Sequence, residues 1–100
     1  MKKRQVRFLR RALSDLSEIS AYLELESPAY RERIVERLVQ TGESLGAHGE
    51  RGPVARDPSL ASRRFRSIRC DRYLLFYKVV GSVVRIHRVL HERRAWARLV

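Results

Sequence analysis

The apolar positions near the start of the chain change their spacing at Ala12. Before it, Val6 and Phe8 alternate with polar neighbours, which predicts a short β-strand. After it, apolar residues recur every three or four positions, which predicts an amphipathic helix that ends near Glu26, before a proline. The apolar stripe of this first helix consists of Ala12, Leu16, Ile19 and Leu23.

A second helix is predicted to begin at Ser27 and Pro28. Serine is a good N-cap, and proline suits the first helical position, where its missing N–H would have no partner anyway. Gly46 is a typical helix stop. The second apolar stripe consists of Ile34, Leu38 and Leu45. Because so short a turn separates the two helices, they should lie roughly antiparallel as a hairpin.

The second half of the chain has the patterns of a loop followed by strands. Residues 46–61 contain three glycines and two prolines, which predicts a loop. Strand-like runs follow at 62–68, 72–80 and 82–90, and Gly81 between the last two is a hairpin turn signal.

The predicted element order is β-α-α-β-β-β within a single domain, residues 1–100. Both helical stripes need an apolar surface, and one face of a sheet supplies it. We therefore expect an α+β fold of two layers, in which the helical hairpin packs on a mostly antiparallel sheet. The pattern leaves open where the first strand joins that sheet.

The charge of the chain indicates an acidic partner. The 22 lysines and arginines exceed the 11 acidic residues, so the formal net charge is +11 at pH 7. Residues 12–47 hold seven acidic side chains against three arginines, whereas 62–94 hold ten basic side chains against two acidic ones. A strongly basic surface attracts nucleic acid, a negatively charged membrane or an acidic protein.

Other features narrow the class of protein. No apolar run approaches the roughly 20 residues of a membrane span, and the basic N-terminus lacks the apolar stretch of a signal peptide. The single cysteine, Cys70, excludes an internal disulfide and a multi-cysteine zinc site. We expect a soluble cytoplasmic protein with no membrane partner.

Candidate chemistry is concentrated in 85–94, which hold two histidines and four arginines. On a strand, His87 and His91 would stand roughly 13 Å apart at about 3.3 Å per residue, too far to share a metal ion. Each could act alone as a general acid or base, although His87 is more simply an exposed strand residue. We expect neither a metal site nor a cofactor.

Arg88 alternates with Ile86 and Leu90, so the pattern turns it toward the helices. A buried guanidinium needs a partner, because an unpaired buried charge is very costly. Asp15 or Glu18 of the first helix can supply the partner. A structural ion pair is a simpler interpretation than a catalytic arginine.

The remaining candidates are aromatic and basic residues of the other two strands. Tyr73 and Tyr77 share one face of the long aromatic strand, where such residues are more often core than base-stacking platforms. Arg63, Arg64 and Arg66 would contact phosphate groups or an acidic peptide if they are functional.

Two sequence motifs occur in order along the chain. The first reads A-x-x-D-L-x-x-I-x-x-Y and is matched by Ala12, Asp15, Leu16, Ile19 and Tyr22. The second reads roughly Y-x-x-F-Y-x-V followed by I-x-R-V-L-H-x-x-R-D, and it is matched by Tyr73, Phe76, Tyr77, Val79, Ile86, Arg88, Val89, Leu90, His91 and Arg94. Together with the element order, the two motifs resemble the ParE branch of the ParE/RelE toxin superfamily over most of the chain outside 46–61.

The resemblance implies a toxin of a bacterial type II toxin–antitoxin system. ParE members inhibit DNA gyrase by binding, whereas RelE members cleave mRNA on the ribosome. Both are neutralised by a cognate antitoxin with a flexible tail, and ParE antitoxins are usually ribbon-helix-helix DNA-binding proteins. An acidic antitoxin tail would suit a toxin of this charge, and DNA would be contacted only through the antitoxin or gyrase.

Two departures from the family pattern bear on the activity. Ala95 replaces the aspartate that ends the second motif, and Leu74 stands where RNA-cleaving relatives commonly carry arginine. Loss of a cation that stabilises the transition state would weaken phosphodiester cleavage, which favours a non-enzymatic gyrase inhibitor. The alternative is a ribosome-dependent mRNA endonuclease that uses His91, Tyr77 and Arg88. A third alternative is an attenuated toxin that serves as a co-repressor.

The resemblance and the charge pattern predict two binding surfaces. The target would be contacted by the end of the last strand and the residues after it, namely His91, Glu92, Arg93, Arg94 and Trp96. The antitoxin would occupy the groove between the helical hairpin and the sheet, together with an open sheet edge. Its predicted contacts are Arg63, Arg64, Arg66, Tyr73, Leu16, Ile19 and Leu38.

Overall fold

The computed structural model describes residues 3–94 and 96–100, apart from the side chains at 96 and 97. The elements are β1 (Gln5–Phe8), α1 (Arg10–Glu26), α2 (Pro28–Ser44), α3 (Pro58–Ser62), β2 (Arg66–Cys70), β3 (Tyr73–Val80), β4 (Val83–His91) and α4 (Trp96–Leu99). The predicted order β-α-α-β-β-β is confirmed, with the short helices α3 and α4 added to it.

The four strands of the described residues form one mixed sheet in the order β1-β4-β3-β2. β1 lies at an edge and runs parallel to β4, with Gln5 opposite Val83 and Phe8 opposite Ile86. The other neighbours are antiparallel. Gly81 begins the β3–β4 turn with a φ of +58°, a left-handed conformation that glycine adopts without strain. The hairpin predicted at this position is confirmed.

The helical hairpin packs on one face of the sheet and encloses the main core. Its buried residues include Ala12, Leu16, Ile19, Leu23, Leu38 and Leu45 on the helical side and Tyr73, Leu75, Tyr77, Val84, Ile86 and Val89 on the sheet side. Full burial of an aliphatic side chain contributes roughly 1.5–3 kcal/mol. Gly42 lets α2 approach β1 and β4, since a Cβ there would overlap the Phe8 ring and lie 2.7 Å from Cδ1 of Ile86. The expected α+β fold is confirmed.

One local prediction is wrong. The strand predicted over 62–68 begins only at Arg66, because Ser62 is the last residue of α3 and a turn follows that helix. That helix has Pro58 at its start and the carboxylate of Asp57 as its cap, which accepts from two backbone N–H groups. Ser27 occupies the N-cap position of α2 as predicted, yet its side chain makes no capping hydrogen bond.

A β-bulge in β4 breaks the alternation that the sequence pattern suggested. Phe76 pairs with Arg88, but the next residue, Tyr77, pairs with Ile86, so His87 is the extra residue. Ile86 therefore faces the helices, whereas Arg88 lies on the other face with Phe76. The prediction that Arg88 and Ile86 share a face is wrong.

The face of the sheet turned away from the hairpin, called the far face below, carries a second and smaller apolar cluster. Its buried members are Ala55, Leu60, Phe65, Phe76 and Leu90, and Leu74, Leu99 and Val100 pack against them. The segment predicted as a plain loop over 46–61 thus contains α3 and helps to cover this face.

The same segment is anchored to the sheet by Tyr77, whose side chain is fully buried. The Tyr77 hydroxyl donates to the carbonyl of Gly49 at 2.7 Å and accepts from the N–H of Gly52 at 2.9 Å. A Cβ at Gly52 would lie 2.7 Å from that hydroxyl oxygen, so only glycine allows this close approach. Tyr77 therefore has a structural role that its place in the strand motif does not reveal.

Replacing this hydroxyl tests the anchor. Tyr77→Phe should lower the free energy of unfolding by roughly 1–3 kcal/mol, because two backbone groups lose their buried partner. Urea denaturation followed by circular dichroism measures the change. Tyr22→Phe is the control, since Tyr22 is 60% exposed and the substitution should alter stability by less than about 0.5 kcal/mol. Equal stability of the Tyr77 variant and the parent chain would show that other contacts hold the segment.

Candidate functional site

A buried carboxylate organises one edge of the sheet. β1 ends at Phe8, opposite Ile86, so the remainder of β4 has no described strand on that side. Asp15 of α1 takes this place, because its Oδ2 accepts from the backbone N–H of Val89 at 2.9 Å. The side chain thus satisfies a strand donor that a neighbouring strand would otherwise bind.

The same carboxylate binds Arg88 in a two-point ion pair. Nε and Nη2 of Arg88 donate to Oδ2 and Oδ1 of Asp15, each at 2.8 Å, and Nη1 donates to the carbonyl of Leu99. Asp15 is 4% exposed and Arg88 7%. The hydrogen bonds to Asp15 raise the pKa of Arg88 above its ordinary value, although burial alone would lower it. The predicted structural ion pair is confirmed, with Asp15 as the partner.

Beside this ion pair, a groove of about 700 Å³ opens between the helical hairpin and the adjacent ends of β3 and β4. Tyr22 of α1 and Tyr30 of α2 line its helical side and are 60% and 50% exposed. Other lining residues include the apolar Ile19, Leu23, Ile34, Val89 and Leu90 and the charged Glu18, Asp71, Arg72, Arg93 and Arg94. The groove can therefore accept apolar side chains of a partner together with charged groups.

His91 and Tyr73 form the sheet side of the groove. They are direct cross-strand partners, and their rings meet edge to face with centroids 5.5 Å apart. Nδ1 of His91 accepts from the backbone N–H of Arg93 at 3.2 Å, which ties the ring to the turn after β4. Burial raises the pKa of Tyr73, and the charges of Tyr22 and Asp71 raise it further. Tyr73 is therefore protonated at neutral pH.

The three side chains predicted for an endonuclease do not converge. Tyr77 is four residues along β3 from Tyr73, the partner of His91, which is roughly 13 Å at about 3.3 Å per residue. The hydroxyl of Tyr77 is bonded to loop backbone, and the guanidinium of Arg88 is bonded to Asp15. Of the three, only His91 lines the groove.

The predicted target-binding segment starts at the end of β4. His91 and Glu92 are half-buried, whereas the two arginines that follow are exposed. Arg69 of β2 donates to the carboxylate of Glu92 at 2.9 Å, which ties the turn to the sheet. Ala95 and the side chain of Trp96 lie outside the described residues. Within the described part of this segment, the two arginines are the most accessible to a partner.

The apolar residues predicted to contact an antitoxin divide between core and groove. Leu16 and Leu38 belong to the main core, are 8% and 0% exposed, and do not line the groove. Their regular spacing indicated a buried stripe equally well. Ile19 and Tyr73 line the groove.

The three arginines of the same prediction lie outside the groove, in and just before β2. Nη1 of Arg66 donates to the carbonyl of Gly52 at 2.8 Å. Nη2 of Arg63 donates to the carbonyl of Val100 at 3.2 Å. Arg64 is exposed and has a φ of +64°. Two of the three therefore stabilise the segments that cover the far face.

His87, expected as an exposed strand residue, is half-buried instead. Its ring packs edge-on against Phe65, with centroids 4.9 Å apart. Burial lowers the pKa of His87, and the positive charges of Lys78, Arg85 and Arg63 lower it further. The bulge explains the difference, because it turns the extra residue toward the far-face cluster.

Neither a metal-binding cluster nor a membrane-spanning helix occurs in the described part of the chain. Within it, no three His, Cys, Asp or Glu side chains are grouped to hold a metal ion. None of its helices is both long and apolar enough to cross a bilayer. Cys70 is buried, and the hydroxyl of Thr41 donates to its sulfur at 3.3 Å.

A model of the family described as "ParE toxin of type II toxin-antitoxin system, parDE" matches residues 6–96. The chain belongs to the ParE toxin family. It is 28% identical over 100 residues, the full length of both chains, to a Sinorhizobium fredii protein provisionally named toxin Y4kP. The resemblance drawn from the two motifs is confirmed, and the chain is a toxin of a type II toxin–antitoxin system.

Two solved structures resemble this ParE-family chain. One comes from a chromosomal ParDE toxin–antitoxin system of P. aeruginosa, with a TM-score of 0.72 and 20% identity over 91% of this chain and 98% of that one. The other is from the toxin–antitoxin complex RelBE2 of Mycobacterium tuberculosis, with a TM-score of 0.67 and 28% identity over 89% of this chain and 98% of that one. The fold is therefore common to the ParE and RelE branches.

Sequence analysis of this ParE-family chain missed Tyr30 as a groove residue and took Tyr22 only as part of a motif. Both tyrosines stand beside the apolar stripes, on either side of the turn between the helices. Aromatic residues on both sides of the turn that connects two helices are a pattern from which the groove could have been predicted.

The buried ion pair can be tested by removing one charge. Asp15→Asn should lower the free energy of unfolding by about 3–5 kcal/mol, because the Arg88 guanidinium stays buried without a counter-charge. Urea and thermal denaturation measure the loss. Glu26→Gln, at an exposed position at the end of the same helix, is the matched control and should change stability by less than about 0.5 kcal/mol. A loss below about 1 kcal/mol for Asp15→Asn would mean that the fold does not depend on this pair.

Proposed function

We propose that this toxin inhibits DNA gyrase by binding it and does not cleave RNA. The observation that carries the proposal is the structural use of Tyr77 and Arg88, which leaves His91 as the only one of the predicted catalytic groups in the groove. Cleavage of a phosphodiester needs an acid, a base and a cation around one phosphate. Binding to a protein target needs only a complementary surface.

Leu74 supports the same conclusion. This residue stands where RNA-cleaving relatives commonly carry arginine, and it packs against the far-face cluster. An apolar side chain at this position supplies no positive charge to a transition state.

We assign the target contact to His91, Glu92, Arg93, Arg94 and Trp96. The two exposed arginines follow the end of β4, and the Glu92–Arg69 ion pair fixes the turn that carries them. A positively charged side chain on a well-fixed turn can bind a carboxylate of a partner at low entropic cost. Only the side chain itself has to be ordered, because the backbone of the turn is already fixed.

The gyrase proposal predicts a direct biochemical effect. Purified toxin should inhibit supercoiling by gyrase and accumulate gyrase-cleaved DNA. Arg93→Ala/Arg94→Ala should need at least roughly tenfold more toxin for the same inhibition, since interface arginines often contribute more than 1 kcal/mol each. Arg10→Ala/Arg11→Ala removes the same charge at the exposed start of α1 and should inhibit like the parent chain.

Three other outcomes would contradict the gyrase proposal or favour a different function. No effect of excess toxin on gyrase would contradict the proposal. Primer extension on translated mRNA would reveal cuts if the chain were the ribosome-dependent endonuclease. Harmless expression without an antitoxin would indicate a co-repressor with little toxicity.

We also propose that a cognate antitoxin occupies the groove through an acidic, flexible segment attached to a ribbon-helix-helix DNA-binding domain. Tyr22 and Tyr30 offer exposed aromatic rings, which are frequent anchors of protein interfaces. Arg72, Arg93 and Arg94 on the same groove can bind carboxylates. The net charge of +11 supports an acidic partner.

Truncating the two tyrosines tests this placement. Tyr22→Ala/Tyr30→Ala should weaken antitoxin binding at least roughly tenfold in isothermal titration calorimetry, because truncated aromatic anchors commonly cost about 2 kcal/mol. Leu25→Ala is the control, since Leu25 is 84% exposed on α1 and does not line the groove. Undiminished affinity of the tyrosine variant would move the antitoxin to another surface.

A further inference from the structure

Three cations form a row across three strands on the far face of the sheet. Arg7 of β1 pairs with Arg85 of β4, and Arg85 pairs with Lys78 of β3. Cross-strand partners project from the same face, and neighbouring strands are about 4.8 Å apart, so the row spans roughly 10 Å. These three residues are called the cationic row below.

The cationic row has no acidic partner among the described residues. The ion pairs of the described residues involve none of Arg7, Lys78 and Arg85. Arg7 and Arg85 are exposed. Nζ of Lys78 lies 4.4 Å from the ring centroid of Phe65. The row therefore presents a concentrated positive charge to solvent.

A fourth cation and a histidine lie next to this row. The guanidinium of Arg63 stands 5.0 Å from the ring centroid of Phe65, the ring that Lys78 also covers. The lowered pKa of the neighbouring His87 is due first to burial and then to Lys78, Arg85 and Arg63. The effect on His87 is consistent with positive charges that converge at this part of the far face.

Like charges directly opposite each other destabilise a sheet. Arg7, Arg85 and Lys78 face one another in this way without a neutralising acid, so the arrangement lowers the stability of the free chain. Binding sites commonly sacrifice stability in this manner, and a ligand of opposite charge removes the repulsion.

We propose that the cationic row binds the phosphate backbone of duplex DNA. Its span of roughly 10 Å is close to the width of the major groove, about 12 Å, so its ends can reach phosphates of both strands. Arginine suits this task, because its planar guanidinium donates two parallel hydrogen bonds to a phosphate.

The surroundings of the row favour duplex DNA over other polyanions. The phenylalanine rings of the far-face cluster, Phe65 and Phe76, are each 1% exposed, so they offer no platform on which unpaired bases could stack. An acidic peptide would favour a groove or a free strand edge, whereas the row crosses three paired strands. The contact is therefore with the backbone and independent of base sequence.

This site goes beyond the gyrase proposal and does not depend on it. The groove lies on the hairpin side of the sheet, and the cationic row lies on the opposite face. The family resemblance implied that the toxin reaches DNA only through the antitoxin or gyrase. The cationic row would add a direct contact with DNA.

Fluorescence anisotropy with the full-length toxin and a labelled duplex of random sequence tests the site without gyrase. If the row makes three phosphate contacts, raising the salt from about 50 to 200 mM should weaken binding roughly 40-fold. Each contact contributes about −0.9 to the slope of log affinity against log salt concentration. Arg7→Gln/Lys78→Gln/Arg85→Gln should reduce the slope by about 2.7 and weaken binding at least about tenfold.

The matched control is Arg10→Gln/Arg11→Gln/Arg33→Gln, which removes the same charge from exposed positions on the two helices of the hairpin. It should keep most of the affinity and nearly all of the slope. Arg7→Lys/Arg85→Lys preserves the charge and should retain the salt dependence. Thermal unfolding of each variant verifies the fold, and the lysine variant keeps the test decisive if the glutamine variant is unstable.

Several results would overturn the proposal. Equal losses in the two triple variants would mean that net charge, and not the cationic row, binds DNA. Tighter binding of a single strand than of the duplex would contradict the ligand class, as would binding of polyglutamate without binding of duplex DNA. Lost salt dependence in the lysine variant would show that the row does not act through its charge.

Discussion

The carboxylate of Asp15 accepts from three donors at once, the N–H of Val89 and two nitrogens of the Arg88 guanidinium. Each of these donors would be costly to bury alone. Together they fix α1 to β4 where β1 has ended, and Arg88 continues the connection to the carbonyl of Leu99. Helix, strand and C-terminal segment therefore meet at one ion pair, and the groove beside it keeps its shape.

The bulge at His87 makes this arrangement compatible with two apolar clusters. Strict alternation after Ile86 would turn Arg88 toward the hairpin and Val89 away from it. With one extra residue, Val89 joins the main core and Leu90 joins the far-face cluster. Arg88 is left at the sheet edge, where the carboxylate of Asp15 can reach it. A single inserted residue thus decides which side chains of β4 face which layer.

Much of the fold could be predicted because the patterns that specify it are local. The two helical stripes and the alternating strands follow from periodicity, and the ion pair of Arg88 with Asp15 followed from the need of a buried guanidinium for an acid. The face of the sheet on which Arg88 lies was predicted wrongly. The bulge that decides it depends on how β4 pairs with β3, and the sequence pattern does not reveal it. The five-residue α3 was missed although Asp57 and Pro58 cap and start it locally, because the glycines and prolines of 46–61 were interpreted as a loop. Tyr30 was missed because its groove forms only when the hairpin packs beside the ends of β3 and β4.

The parallel pairing of β1 with β4 has a consequence for synthesis. Gln5 lies opposite Val83, so the sheet joins the first strand of the chain to the last. Pairs this distant in sequence slow folding, and a chain leaves the ribosome from its N-terminus. β1 and the helical hairpin must therefore wait for β4 before the edge that Asp15 completes can form. A chain with this topology completes the groove beside that edge late in folding, because the groove needs both the helical hairpin and the paired β4.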